Sequence, residues 1–294
     1  MNIIKDLFHL SMQVDDYDKT LDFYCGKLGF GQMFELKVKD FKEMLHLTET
    51  DTNNDLKWLT YLRVAPEEYL EIFNGIVNPP DFELKRADKS KGSVIHSFAL
   101  GCDDLSKTMR ALEEKGIYMK NGYITDPTGF KIRLVEKKGH KAEKDRLFHS
   151  LAGVSLYVND LAYMTDYLSG MGMEKVSETV SSVLFHLGEN DQYIELIHKP
   201  ETLATGDEDI LGHIALQVNS IADAVWEWGN AGVRTCMQPM FRDQPFEVKK
   251  DVVGNFAVDG CEIVWAVSRD GYRFEIMRQP GNTLQQKWER ENIF

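Results

Sequence analysis

FHLSMQVDDYDKTLDFYCGKLGF (8–30) and GVSLYVNDLAYMTDYLSGMGM (153–173) have the same layout. Each begins with alternating apolar residues, the period of a half-buried strand. An acidic turn follows, Asp15-Asp16 in the first and Asn159-Asp160 in the second. A carboxylate or amide there can accept from the free N–H groups of a first helical turn. Apolar residues then recur at helical spacing, as Leu21, Tyr24 and Leu28 do, which gives the helix one buried face. Gly29 and Gly172 stand where a left-handed residue closes a helix.

A second pair repeats this plan: IHSFALGCDDLSKTMRALEEKGI (95–117) and HIALQVNSIADAVWEWGNAGV (213–233), ending at Gly116 and Gly232. Strand-like runs follow each helix. In the first unit they are GQMFELKV (31–38), KWLTYLRV (57–64) and EYLEIFNG (68–75). In the third they are KVSETVSSVLFHLG and QYIELIHK. The chain therefore reads as an α+β protein of four β-α-β-β-β modules, an internal repeat of order four. The second module is short between Gly116 and Asp126 and leaves room for one strand fewer. The charged stretch KKGHKAEKDR (137–146) reads as a linker. It divides the chain into domains 1–138 and 147–294, each of two consecutive modules. GIVNPPDFELKRADKSKG (75–92) and PETLATGDED (200–209) join modules within each half, and NTLQQKWEREN (282–292) suits a terminal helix.

Composition narrows the function. With 43% hydrophobic residues in 294, the chain can bury a sizeable core. A net charge of −13 disfavours nucleic acid and anionic lipid as partners. No run of eighteen apolar residues offers a spanning helix, and the opening MNIIKDLFHLSM has no secretory apolar core. Cys25, Cys102, Cys236 and Cys261 are scattered, as free thiols of a cytoplasmic protein would be. A small-molecule substrate is the expected partner, for a monomer or homodimer.

Two places recur in all four modules. The lead inward residue of the first strand is His9, His96, Gly153 and His213 in turn. The central residue of the last strand is Glu71, Arg133, Glu195 and Glu275, each flanked by apolar residues. Alone, each has an ordinary reading: a strand-edge histidine, or a glutamate facing water. His46, His140, His149, His186 and His198 are read in that ordinary way. Together, six of eight places hold His or Glu, which is a metal-ligand mixture.

The opening HLSMQVDDYDKTLDFYCGKLGF, the LEIF strand, the HSFALGCDDL turn and the ending DPTGFKIRLV resemble the vicinal oxygen chelate superfamily. That family holds glyoxalase I, extradiol dioxygenases, and the fosfomycin- and bleomycin-resistance proteins. The resemblance covers about residues 5–278. It implies that modules pair into U-shaped mixed sheets around a cleft, with ligands on the first and last strands. Carried over, the N-terminal half supplies His9, Glu71 and His96, with Arg133 in the fourth place. The C-terminal half supplies Glu195, His213 and Glu275, with Gly153 unable to donate. Each half then keeps three of four ligands, and the N-terminal set is the favoured site. Arg133 either pairs with Glu71 or clamps an anionic group of a substrate.

The resemblance further implies a divalent cofactor (Zn, Ni, Mn or Fe) and a glutamate serving as ligand and base, so Glu71 and Glu275 are the candidate catalytic residues. The expected function is a metal-dependent lyase or isomerase-like enzyme acting on a small oxygenated metabolite. The alternatives are a non-catalytic protein that sequesters a small molecule between aromatic walls (Tyr157, Trp226, Trp228, Trp265), and a ring-cleaving dioxygenase.

Overall fold

The computed structural model describes residues 3–42, 54–77, 94–137, 142–144, 146–188, 191–200, 212–237, 245–247 and 249–292. The joining segment 200–209 lies almost wholly outside these residues, as do His46, His140 and most of 75–92. The first module comprises β1 (Ile4–Val14), α1 (Tyr17–Leu21) with a π-helical continuation (Asp22–Lys27), β2 (Gly31–Lys37), β3 (Lys57–Ala65) and β4 (Glu68–Asn74). The second is β5 (Ile95–Cys102), α2 (Leu105–Glu114), β6 (Tyr123–Thr125) and β7 (Lys131–Glu136), one strand fewer, as its length predicts. The third is β8 (Ser150–Val158), α3 (Leu161–Gly170), β9 (Glu174–Glu178), β10 (Ser182–Leu187) and β11 (Gln192–His198). The fourth is β12 (His213–Val218), α4 (Ile221–Asn230), β13 (Thr235–Cys236), β14 (Asn255–Phe256), β15 (Glu262–Val267) and β16 (Arg273–Arg278). The polar tail forms α5 (Leu284–Asn292).

The helix boundaries follow local chemistry. Asp16, Asp104, Asp160 and Ser220 each accept from the backbone N–H three residues on, at 3.3, 2.8, 2.9 and 3.2 Å. Gly29, Gly116, Gly172 and Gly232 close the same four helical segments with φ of 83°, 75°, 84° and 84°. A side chain there would be strained, which is why the same residue recurs. The four cysteines are free thiols. Among the described residues no helix is long and apolar enough to cross a membrane.

Among the described residues the strands form two mixed sheets. One has nine strands in the order β13-β15-β16-β12-β1-β4-β3-β2, with β14 on β15. The other has seven, ordered β6-β7-β5-β8-β11-β10-β9. The sheets run across the halves 1–138 and 147–294. The first strand of module one lies beside that of module four, and modules two and three meet at β5 and β8. The compact units are likewise discontinuous: 1–10, 85–96 and 153–294 in one, 11–84 and 97–152 in the other. The physical reason is that each module leaves one edge of its first strand open. Any other module's first strand can close that edge, and proximity in the chain does not choose which.

In the unit containing 153–294, β16 pairs with β12 in parallel and with β15 antiparallel. Phe274 and Ile276 are fully buried on one face of β16, and Glu275 and Met277 on the other. In the unit containing 11–84, β3 pairs antiparallel with β4, placing Tyr61 opposite Glu71. In the same unit Arg63, 1% exposed, donates to both oxygens of the part-exposed Glu143 at 2.7 and 2.8 Å.

Candidate metal centre

Module pairing redistributes the eight recurring places. His9 on β1, Glu71 on β4, His213 on β12 and Glu275 on β16 fall on four adjacent strands of the nine-stranded sheet. His96 on β5, Arg133 on β7, Gly153 on β8 and Glu195 on β11 fall on the seven-stranded sheet. One sheet therefore keeps His or Glu at all four places. The sheets and the halves of the chain thus group these eight places differently, with His9 and His96 on different sheets.

Three of the first four residues come together within one unit. His9 Nε2 lies 3.1 Å from His213 Nε2, and Glu275 Oε2 lies 3.2 Å from the first and 3.4 Å from the second. All three side chains are buried. The two imidazoles meet edgewise at 5.2 Å between ring centres. Gln192 sets the strand that carries His9: its amide accepts from the Leu7 N–H at 2.7 Å, two residues upstream. Trp265, opposite Glu275 on β15, stands edgewise against His213 at 5.0 Å.

The geometry fits a cation. Ligand atoms about 2.0–2.1 Å from a tetrahedral ion are about 3.3 Å apart, and the observed triangle has that size. The Glu275 oxygen can accept an Nε2–H from each imidazole, and loss of those two protons frees three lone pairs for one central cation. Burial works to raise the Glu275 carboxyl, but hydrogen bonds from His213 and His9 outweigh it and bring it down to about 2. Glu275 is therefore anionic at neutral pH, the form a ligand needs.

The other four places do not gather in this way. Gly153 is tight against β11: a Cβ there would meet the Tyr193 carbonyl oxygen at 2.6 Å and its ring at 2.7 Å. Tyr193 thus occupies the room a ligand side chain would need. Glu195 is half-buried and accepts from Ser155 Oγ at 2.7 Å. His96 is half-buried and lies edgewise on Tyr157 at 4.7 Å, with Lys199 over the far ring at 4.6 Å. Arg133 is exposed on β7 between buried Ile132 and Leu134, so its position is not an apolar interior one. Of the proposed aromatic walls, Trp228 is core and Trp226 is half-buried beneath Lys250; Trp265 alone adjoins the three-residue cluster. Gln192 and Tyr193 were not singled out in the sequence. Their roles depend on cross-strand neighbours, which have no signature in sequence spacing.

Residues 6–143 match the model of the Glyoxalase/Bleomycin resistance protein/Dioxygenase superfamily. The chain has the vicinal oxygen chelate fold. Glyoxalase I from Zea mays is similar at 18% identity, over 98% of this chain and 97% of that one, with a TM-score of 0.63. A candidate dioxygenase from Bacillus subtilis is similar at 15% identity, over 98% and 91% of the two chains, with a TM-score of 0.62. No curated protein matches the sequence. The likeness to these structures is one of fold, and the His–His–Glu cluster lies on first and last strands of modules within it.

Proposed function

We propose that this chain is a metal-dependent enzyme of the lyase or isomerase type, acting on a small oxygenated metabolite. The observation that carries the reading is the buried triangle of His9, His213 and Glu275, with edges of 3.1, 3.2 and 3.4 Å. These residues hold the divalent ion, and Glu71, at the matching place of the first module, is assigned as fourth ligand. A divalent ion in such a site supplies Lewis acidity toward a bound carbonyl or water. The chain's own part is to present an anionic ligand, exclude water and move a proton. Glu275 binds protons weakly, which suits a ligand, so Glu71 is the proposed base for a proton next to the substrate carbonyl.

Metal analysis of the purified protein tests this. About one divalent ion per chain is expected, with stoichiometric loss in Glu275→Ala. Protein that excludes Zn, Ni, Mn and Fe on titration would overturn the reading. A Glu71→Gln variant that keeps turnover would remove Glu71 as base.

Two histidines and one carboxylate also match the ligand set of Fe(II) oxygenases. That keeps ring cleavage as a second reading. Oxygen uptake with a catechol by Fe(II)-loaded protein would favour it over the first.

A further inference from the structure

The face of the sheet that carries Glu275 holds two polar groups that the metal reading does not use. Trp265 lies directly opposite Glu275 in the β15–β16 antiparallel pair, so both side chains project from one face. On the other side of β16, Ala215 is level with Glu275 and Gln217 with Met277 in the parallel β12–β16 register. His213, Ala215 and Gln217 alternate onto that same face. Trp265 and Gln217 are each 7% exposed. The Trp265 indole nitrogen and the Gln217 amide oxygen are both buried without a hydrogen-bond partner among the described residues.

A buried donor or acceptor left unmade costs about 1–3 kcal/mol, so two on one face beside a ligand cluster require an explanation. One is a donor and the other an acceptor. A metal ion satisfies neither: an indole N–H cannot ligate, and Gln217 stands one inward position beyond the level of Glu275. An organic molecule with complementary groups satisfies both.

We propose that Trp265 and Gln217 orient the organic ligand of the His9–His213–Glu275 centre. The indole N–H donates to an oxygen of the ligand, and the Gln217 amide oxygen accepts from a hydroxyl or amide N–H next to it. The ligand class is a compact molecule carrying an acceptor oxygen with an adjacent donor. Both are positioning residues, since neither supplies a ligand atom or carries a proton in the reaction. This rests on the metal reading above.

The test uses the full chain loaded with cobalt(II), whose visible spectrum reports the ligand sphere independently of turnover, and acetohydroxamate as the probe. Acetohydroxamate carries metal-binding oxygens and an N–H. Trp265→Phe keeps an aromatic ring but lacks the donor, and Gln217→Met keeps the length but lacks the amide. Both variants are expected to retain the parent cobalt spectrum and melting temperature, and to bind acetohydroxamate roughly tenfold more weakly. Should Gln217→Met fail to fold, Trp265→Phe alone decides the indole's part. Unchanged acetohydroxamate affinity in the cobalt-loaded variants overturns the inference and leaves the metal centre standing. A parent protein that takes up no cobalt overturns the metal reading, and the inference with it.

Discussion

His213 and Gly153 begin the same kind of strand, in modules that share one grammar. Around His213, three side chains from β1, β12 and β16 close to within 3.4 Å of one another, buried from water. Around Gly153, the Tyr193 carbonyl and ring occupy the space where a side chain would begin. The partners differ in the same sense. Glu275 is buried and accepts from two histidines, whereas Glu195 is half-buried and accepts from a serine. The comparison teaches that a repeated fold preserves positions without preserving their chemistry. A carboxylate in an apolar sheet face is costly unless cations or donors converge on it. Where one ligand of a set is lost, the remaining polar groups find local partners or face solvent, and the site becomes packing.

The largest expected effect separates the two sheets directly. His9→Ala and His213→Ala should each lower bound metal from about one ion per chain to near zero, measured by elemental analysis after dialysis. His96→Ala should leave metal content unchanged. Equal losses from His96 and His213 would erase the distinction drawn here.

A next, smaller effect comes from trying to rebuild the lost place. Gly153→His should gain no metal and should destabilise the fold by about 3 kcal/mol, because the new Cβ meets backbone at 2.6 Å. Gly153→Ala meets the same atoms and should cost a similar amount, less the bulk of the ring. Denaturant unfolding measures both. If Gly153→Ala is neutral, crowding by Tyr193 does not explain why this place carries no ligand.

The smallest effect lies outside either set and separates ordinary ion pairing from the centre. Arg63 hydrogen-bonds Glu143 and holds its carboxyl below the usual carboxylate range. A lowered folded-state pKa contributes stability that is full above the unfolded value, and it is lost as the pH falls through the folded one. Glu143→Gln should cost about 1 kcal/mol at pH 7, modest because the Glu143 side chain is 38% exposed to screening solvent. That difference should shrink as the pH falls below the normal carboxylate range. Metal content should be unaffected throughout.

Much of this protein was determined by local sequence. Alternation along 8–14 and 213–218, the caps Asp16 and Ser220, and the glycines at 29 and 232 define strand, helix and stop through interactions a few residues long. Those same alternations made His9, Glu71, His213 and Glu275 legible as recurring inward places. The tertiary structure alone decided which of the eight places share a sheet. It joined module one to module four, so that His9 meets His213 across 204 residues. It also set Tyr193 against Gly153 and turned Arg133 to solvent. The reason is that strand alternation specifies a face, while the choice of partner strand depends on burying long-range surface that no short window of sequence contains.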